Sequence, residues 1–374
     1  MKLPLVEYVT NYYQGPCLDN VLIIGVQHIL ETTHAMFRSL YKLGLKPENI
    51  SIIGKCYSSC REVYDEMASD GIDVDPNSFS YSSHKSFDEH FQQIVEEFIK
   101  KRLHKLQSSG IEKIIILDDG GKCIELIQKN MESFPPLVAV EQTSSGYEAL
   151  KSLALDFPVI NIARTSTKLK LESPMIAKAA VDRLFLSLKS HNLNGKALII
   201  GGGAIGLAVQ QQLIQHEISA DIYDIKESKD NLQELLGKYN LILGCTGKIS
   251  VPKEYHPHLA PNSILASISS SDREFDAAHL RKKIPESNDC HKDLIIENLT
   301  LVRNGFPVNF DGERENIDPE LIQLTIALMT AGILQGVEQD LLTSRGIIPL
   351  RKQAIEFIED AFIQLVNSDQ TQLV

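Results

Sequence analysis

The sequence lacks the features that mark several large classes of protein. Its six cysteines include no Cys-x-x-Cys pair, which argues against a zinc ribbon, a thioredoxin-type site or a disulfide scaffold. We therefore expect reduced thiols, no metal site and a cytoplasmic location. No run approaches 18 consecutive apolar residues, and the first residues lack the apolar core of a signal peptide, so we expect no membrane segment.

An excess of basic residues is also absent, because 37 Lys and Arg stand against 49 Asp and Glu, for a formal net charge of -12. A general nucleic-acid binder needs a positive face, so we expect neither nucleic acid nor membrane among the partners. What is present is an ordinary globular composition, 43% hydrophobic and 23% charged. At about 150 residues per domain, this chain is long enough for about two domains.

Short apolar runs alternate with longer amphipathic segments along most of the chain. Residues 114–117 form a continuous apolar run typical of a parallel strand buried on both faces, whereas 87–106 carry apolar residues at helical spacing. This alternation predicts an α/β fold of two lobes with parallel βαβ units. The polar stretch 189–195 separates the lobes, and we expect the helices within 318–374 to return to the first lobe.

A glycine motif follows the first strand of the second lobe and opens a helix. Gly201 permits the tight turn, Gly203 lets a pyrophosphate approach the backbone, and Gly206 lets the helix pack on the strand. The helix N-terminus, at Ala204 and Ile205, offers free N–H groups and a partial positive charge. The motif therefore predicts dinucleotide binding, although a glycine-rich turn without a ligand is the alternative.

An acidic residue and a threonine extend this predicted site. Asp224 ends the next strand, where a carboxylate accepts hydrogen bonds from ribose hydroxyls and repels a 2′-phosphate, so NAD is favoured over NADP. Thr246 follows a later strand, where such sheets pass close to the nicotinamide half, and a plain turn is equally open there. We therefore predict a Rossmann-type NAD-binding domain over 191–317 and a doubly wound parallel-sheet substrate-binding domain over 1–190, completed by C-terminal helices over 318–374.

Both lobes carry short polar and glycine-containing motifs, which are Leu117-Asp118-Asp119-Gly120-Gly121, the run from Val140 to Gly146, Pro158-Val159-Ile160-Asn161, Thr167-Lys168-x-Lys170, and the run from Asn304 to Asn309. Together these motifs resemble the S-adenosylhomocysteine hydrolase family, in the family's order and over about residues 20–335. The family holds NAD as a resident redox group, oxidises a ribose 3′-hydroxyl, eliminates or adds the thioether or water, and reduces the ketone back. The resemblance therefore implies both the fold and the cofactor.

The resemblance also implies roles for individual residues. Lys168 would be the base for the hydroxyl proton and Glu172, spaced i,i+4, its anchor. Asp119 and His28 fall on active-site positions. Without the resemblance, Lys168 is a solvated lysine, Asp119 a helix cap and His28 a buried or capping histidine. The implied substrate-binding positions are Glu141, Gln142, Thr143 and Ser58, and Asn309 joins the cofactor-binding set.

Departures from the family pattern concentrate on polar positions of the substrate site. Gln142 stands where the family has a second glutamate, and Leu30 and Thr32 replace polar groups expected near the adenine. Ser270 and Asn316 stand where the family has histidines. Because a site built to hydrogen-bond its substrate discriminates against a poor match, we predict that S-adenosylhomocysteine is a poor substrate.

The end of the sequence departs from the family as well. The family's tail carries a lysine and a tyrosine into a neighbouring subunit's cofactor site, and no counterpart follows Leu350. We expect NAD to be held by its own lobe and the interlobe cleft, and to dissociate faster. The apolar helix predicted over 321–334 either forms a subunit interface or is core within one chain, and we favour a homodimer or larger homo-oligomer.

Three functions remain open from the sequence. The leading hypothesis is an NAD-dependent enzyme that oxidises or otherwise transforms a hydroxyl of another small polar metabolite, nucleoside- or sugar-like. The others are a genuine adenosylhomocysteinase and a non-catalytic NAD-binding relative that acts as a sensor or scaffold. The related 2-hydroxyacid dehydrogenases share the architecture, but no Arg…Glu…His series in the cofactor lobe supports them.

Overall fold

Strands and helices alternate through the computed structural model, which describes residues 1–13, 17–105, 110–129, 135–188 and 196–370. The strands in these ranges are β1 (Val21–Val26), β2 (Ile50–Ile53), β3 (Asp73–Val74), β4 (Lys113–Asp118), β5 (Leu137–Glu141), β6 (Pro158–Asn161), β7 (Ala197–Ile200), β8 (Ala220–Tyr223), β9 (Leu241–Gly244), β10 (Ile264–Ser267), β11 (Leu294–Ile296), β12 (Leu299–Leu301) and β13 (Gly346–Pro349). The helices are α1 (Pro4–Tyr12), α2 (Glu31–Tyr41), α3 (Arg61–Ser69), α4 (Phe87–Lys105), α5 (Lys122–Lys129), α6 (Ser144–Leu150), α7 (Ser173–Ser187), α8 (Ala204–Gln215), α9 (Leu232–Leu236), α10 (Ala277–Arg281), α11 (Pro319–Gly336) and α12 (Lys352–Gln370).

The elements form two units. Unit 1 comprises Met1–Phe79, Gln92–Glu172 and Asp318–Val374, and unit 2 comprises Ser80–Phe91 and Ser173–Ile317. The predicted division at the polar stretch 189–195 lies outside the described residues. So do residue 106, at the end of the predicted helical stretch 87–106, and residues 371–374 of the predicted C-terminal segment. The domain boundaries drawn from the sequence therefore stay predictions.

Unit 1 is built on a seven-stranded parallel sheet in the order β13-β6-β5-β4-β1-β2-β3. Its central strands are buried along their length, which explains their continuous runs of Ile, Leu and Val. The strand order reverses between β1 and β4, because β2 and β3 lie on one side of β1 and β4 to β6 on the other. In a doubly wound sheet, ligands bind outside the carboxyl ends of the strands at such a reversal.

Helix α11 forms much of the core of unit 1. Its residues from Gln323 to Gly336 are buried, and it packs against α1, α2 and α12 and against strands β4 to β6. Gly332 allows this approach, since a Cβ there would lie 2.8 Å from Val140 Cγ1. The prediction that this apolar helix supplies a subunit interface is therefore corrected: its own chain covers it. The predicted homo-oligomer stays a prediction.

Unit 2 carries a six-stranded sheet in the order β11-β12-β10-β9-β7-β8. The strands are parallel except for the β11–β12 pair. With β8 on one side of β7 and β9 on the other, this sheet also has a strand-order reversal, the Rossmann-type pattern. The predicted fold class, α/β with a Rossmann-type unit and a second doubly wound parallel-sheet unit, is confirmed by these two sheets.

Candidate functional site

The strand-order reversal of unit 1 brings four polar segments to one edge of its sheet. His28 follows β1, Lys55 follows β2, Asp119 follows β4, and Gln142 follows β5. Parallel strands end at the same edge, so these residues converge although they are far apart in the sequence. We call the set of His28, Lys55, Ser58, Asp119, Gln142, Lys168 and Glu172 the unit 1 cluster.

Asp119 lies at the centre of the unit 1 cluster. Its Oδ2 atom is 3.2 Å from His28 Nε2 and accepts a hydrogen bond from Gln142 Nε2 at 2.5 Å, while its Oδ1 atom pairs with Lys55 Nζ. Burial alone would raise the pKa of this carboxyl, but the charges of Lys55 and His28 hold the pKa of Asp119 well below its usual value. Asp119 is therefore an ionised group that only accepts hydrogen bonds.

His28 is held from both ring nitrogens. Ser58 Oγ lies 2.6 Å from Nδ1, and the Asp119 carboxylate faces Nε2. Because an ionised carboxylate can only accept, we assign a proton to Nε2. A short 3₁₀ turn, Cys56–Ser58, places the buried Ser58 next to this ring. The arrangement gives His28 a fixed orientation with Nδ1 facing a hydroxyl.

The helix-capping role considered for Asp119 belongs to its neighbour. Asp118 Oδ2 accepts a hydrogen bond from the Ile124 N–H at 2.9 Å, in the first turn of α5. Asp119 instead makes the contacts with His28, Lys55 and Gln142. The two adjacent aspartates therefore have different roles: Asp118 caps the start of α5, and Asp119 belongs to the unit 1 cluster.

Glu141 fixes the turns on both sides of it. Its Oε1 atom accepts hydrogen bonds from the Thr143 N–H at 2.7 Å, the Thr143 hydroxyl at 2.6 Å and the Gly120 N–H at 3.3 Å. Burial, followed by the charge of Asp118, raises the pKa of Glu141 to about 8, and burial raises the pKa of Asp118 to about 7. Glu141 and Thr143 therefore shape the loop that carries Gln142.

Lys168 and Glu172 form an ion pair beside Gln142. A π-helical turn, Lys168–Glu172, places Lys168 Nζ 3.3 Å from Glu172 Oε1 and 2.5 Å from the Gln142 carbonyl oxygen. Thr325 donates to Glu172 Oε1 at 2.7 Å. Since Lys168 is buried, the solvated-lysine alternative does not hold. Among the described residues, Gln142 Oε1 is buried without a hydrogen-bond partner, which leaves an acceptor for a ligand group.

Lys55 is the member of the unit 1 cluster that the sequence analysis missed. It is 5% exposed and lies two residues after the buried strand β2. The available signal was a lysine just past the carboxyl end of a short, largely apolar strand, in the way that His28 and Asp119 follow β1 and β4. Lysines are almost never fully buried unless they are paired, so this position calls for a carboxylate.

In unit 2, the glycine turn between β7 and α8 has the geometry that the motif requires. Gly201 has φ +113°, a conformation that side chains rarely adopt, and a Cβ at Gly206 would lie 1.9 Å from the Gly201 carbonyl oxygen. A Cβ at Gly203 would meet no atom within 4 Å, so the space outside the turn is open. Gly203 is the N-cap of α8, and Ala204 and Ile205 are its first two residues. Gly203 and Ala204 are exposed.

Asp224 reaches from the end of β8 to this turn. Its Oδ2 atom accepts a hydrogen bond from the Gly202 N–H at 2.9 Å, and its Oδ1 atom accepts one from the Lys226 N–H at 3.0 Å. These two hydrogen bonds, with that of Lys226 the larger effect, lower the pKa of Asp224. The carboxylate is therefore negative at neutral pH and lies beside the glycine turn.

Thr246 and Asn309 lie near the carboxyl ends of β9 and β10, on the opposite side of β7 from β8. Thr246 follows β9, and both its N–H and its hydroxyl donate to Glu274, a buried carboxylate that the sequence analysis missed. Asn309 is buried and follows Val308, whose N–H donates to the carbonyl oxygen of Ser267 at the end of β10. The two residues thus sit at the carboxyl ends of neighbouring strands, across the strand-order reversal from Asp224.

The described residues also bear on metal binding and on membrane insertion. Within them, no group of three or more His, Cys, Asp or Glu side chains is arranged to hold a metal ion. No helix among the same residues combines the length and the apolar character needed to cross a membrane.

Comparison with known sequences finds relatives but no matching family model. Two uncharacterized proteins of Mycobacterium tuberculosis, from strains CDC 1551 / Oshkosh and ATCC 25618 / H37Rv, are each 41% identical to this chain over 324 residues. The matched region covers 85% of this chain and 64% of each relative, so the chain spans less than two thirds of the length of these relatives.

Comparison with solved structures finds dehydrogenases among the similar chains. The NAD+-bound 3-phosphoglycerate dehydrogenase of Entamoeba histolytica has a TM-score of 0.40 at 11% identity and covers 87% of this chain and 98% of its own. A D-lactate dehydrogenase from Sporolactobacillus sp has a TM-score of 0.36 at 13% identity, with the same coverage of 87% and 98%. These TM-scores are too low to establish a common fold.

Proposed function

We propose that this chain is an NAD-dependent oxidoreductase, a diverged relative of the S-adenosylhomocysteine hydrolase family that acts on a hydroxyl of a different small polar metabolite. The observation that carries the proposal is the glycine turn of unit 2, which joins a buried parallel strand to α8 with the Asp224 carboxylate beside it. The strand-order reversal places this turn where doubly wound sheets bind dinucleotides.

The residues of unit 2 fit NAD. The open space outside Gly203 would let a pyrophosphate approach the backbone at the start of α8, where N–H groups and the helix dipole favour an anion. Asp224 would hold the adenosine ribose through its hydroxyls, and its negative charge would repel the 2′-phosphate of NADP. Ala204 and Ile205 would line the pyrophosphate site, and Thr246 and Asn309 would serve the nicotinamide half.

The unit 1 cluster supports a hydroxyl-bearing substrate. Bound NAD would supply the hydride acceptor. Lys168 would pass its ammonium proton to Glu172, 3.3 Å from Nζ, and would then take the hydroxyl proton at Nζ as the neutral amine, with Glu172 also holding the lysine in place. His28, oriented by the ionised Asp119, would exchange a proton at Nδ1, where it faces Ser58. Gln142, in the loop fixed by Glu141 and Thr143, would accept a hydrogen bond at Oε1.

The proposed substrate differs from S-adenosylhomocysteine because the polar partners expected for adenine and for the elimination step are replaced. Gln142 donates to Asp119, a bond that a glutamate could make only when protonated. Leu30 and Thr32 are buried at the start of α2 and leave no carboxylate in those two positions. Adenosylhomocysteine hydrolysis and cofactor binding without catalysis are the two alternatives that experiment must separate.

Cofactor binding is tested by calorimetric titration of NAD and NADP into the full chain. Gly203→Val is the test variant, because Gly203 has φ -73° and a Cβ there meets no atom, so folding should be unaffected while the pyrophosphate is blocked. Gly237→Ala is the matched control, with φ -78° and no Cβ contact closer than 3.4 Å. We expect NAD to bind more tightly than NADP, Gly203→Val to lose binding at unchanged Tm, and the control to match the wild type.

Catalysis is tested on the loaded protein by adding nucleosides and sugars and recording the absorbance of the reduced nicotinamide. A substrate that reduces NAD in the wild type but not in Lys168→Met supports the oxidoreductase. Release of homocysteine at an enzymatic rate from S-adenosylhomocysteine would identify the hydrolase instead. Tight NAD binding without reduction by any compound would identify a binding protein, and binding of neither NAD nor NADP would overturn the proposal.

A further inference from the structure

One buried carboxylate joins the carboxyl ends of two neighbouring strands in unit 2. Glu274 is 0% exposed, and its Oε1 atom accepts hydrogen bonds from the N–H groups of Thr246 and Gly247, both at 2.6 Å, and from Ser269 Oγ at 2.5 Å. Its Oε2 atom accepts from Thr246 Oγ1 at 2.8 Å. Thr246 and Gly247 follow β9, and Ser269 follows β10, so the Glu274 side chain is hydrogen-bonded to the segments that follow both strands.

The position of Glu274 is itself fixed by its surroundings. A Cβ at Gly244 would lie 2.8 Å from both Cβ and Cγ of Glu274, so the last residue of β9 has to be small. The main-chain carbonyl of Glu274 accepts the N–H groups of Ser250 and Val251, at 3.0 and 2.9 Å. Both ends of the residue are therefore held, and its carboxylate cannot turn away from the loop after β9.

The loop after β9 lies across the strand-order reversal from the glycine turn. In the proposed function, Gly203 at the start of α8 and Asp224 just after β8 would serve the pyrophosphate and the adenosine half of a dinucleotide. The nicotinamide half of the ligand would then lie near the ends of β9 and β10, which Thr246 and Ser269 follow. Glu274 contacts both of these residues and is used by no step of the proposed function.

We infer that Glu274 is a positioning residue that holds the 246–247 turn in the shape that receives the nicotinamide half of NAD. The inference rests on the proposed function. The carboxylate occupies the Thr246 and Gly247 N–H groups, so this turn is not a second phosphate site and the pyrophosphate binds at α8 alone. It also fixes the Thr246 hydroxyl, while Gly247, with φ +68° and no atom within 4 Å of a Cβ, presents an open face to the ligand.

The test compares two ligands on the full chain, NAD and ADP-ribose, which lacks only the nicotinamide. Glu274→Ala removes every acceptor, and Glu274→Gln keeps the amide oxygen for the Thr246 and Gly247 N–H groups. Glu254→Ala, at an exposed glutamate of unit 2, is the control. Each buried donor left without an acceptor is costly. We therefore expect Glu274→Ala to lower the affinity for NAD about tenfold or more and the affinity for ADP-ribose less than about threefold. Glu274→Gln should recover most of the affinity for NAD.

Each result decides the matter. Loss of NAD affinity with ADP-ribose affinity kept supports the inference, and Glu274→Gln gives the same comparison at smaller amplitude if Glu274→Ala does not fold. Equal loss of both ligands in a folded variant, or unchanged affinity for both, overturns the inference and leaves the proposed function standing. A wild-type chain that binds neither ligand overturns the proposed function, and this inference with it.

Discussion

Replacing Lys55 by methionine removes the ammonium of a buried ion pair of unit 1 while keeping most of the side-chain volume. Lys55 and Asp119 are 5% and 6% exposed, so the remaining carboxylate would stay in a poorly solvated site. Breaking such a pair costs about 3–5 kcal/mol. Since His28 and Gln142 still contact Asp119 Oδ2, we expect the lower end of this range, a decrease of about 3 kcal/mol in the free energy of unfolding.

The assay is urea denaturation of the full chain, monitored with a probe placed in unit 1. Lys129→Met is the matched control, because Lys129 pairs with Glu125 on the surface with its side chain 58% exposed, and such pairs contribute about 0–1 kcal/mol. The double variant Lys55→Met with Asp119→Asn should be more stable than the sum of the single changes predicts, by about 1 kcal/mol or more. The reasoning is refuted if Lys55→Met lowers the free energy of unfolding no more than Lys129→Met does. It is also refuted if the effects of Lys55→Met and Asp119→Asn are additive in the double variant.

Four other outcomes follow from the structure. Gly332→Ala should lower the Tm of unit 1 in calorimetry, because its Cβ would lie 2.8 Å from Val140 Cγ1 and overpacking costs about 1–3 kcal/mol; an unchanged Tm contradicts the tight approach of α11. The unfolding free energy should fall as the pH rises from about 4 to about 8, because the raised pKa values of Asp118 (about 7) and Glu141 (about 8) make the folded protein bind more protons than the unfolded chain in this range. Glu141→Gln should flatten that slope, and an equally steep profile would speak against the assignment. Asp224→Ala should narrow the preference for NAD over NADP in calorimetry, and an unchanged ratio of the two dissociation constants contradicts charge repulsion by this carboxylate. S-adenosylhomocysteine should be hydrolysed far more slowly than about 1 per second, and homocysteine release at that rate would disprove the divergence of the substrate site.

Local patterns were enough to predict the central strands and the glycine turn. Strand β4, Lys113–Asp118, contains the apolar run 114–117, and α8 starts at Ala204, within the glycine motif. Elements with little apolar signal were missed: the three-residue strands β11 and β12, the edge strand β13, and α1 at the start of the chain. A strand of three residues has too few positions to show a period, and an edge strand is only half buried.

The unit 1 cluster shows why site prediction stopped where it did. Motif positions such as Asp119 and Lys168 can be recognised one at a time, because each belongs to a short segment. The partnership of Lys55 with Asp119 joins residues 64 positions apart, and that of Glu274 with Thr246 joins residues 28 positions apart. Only the strand order makes these neighbours, so a buried charge could be noticed in the sequence but its partner could not be named.

The discontinuous sequence of unit 1 sets the order in which a ribosome can complete it. Gly346 of β13 pairs with Pro158 of β6 across all of the intervening 173–317 segment, and α11 covers strands β4 to β6. Until these late residues emerge, β6 is an open sheet edge and the apolar face beneath α11 is exposed, which is the state most prone to aggregation. A nascent chain stalled before residue 319 therefore presents the surface that chaperones recognise, while the 173–317 segment of unit 2 is already synthesised.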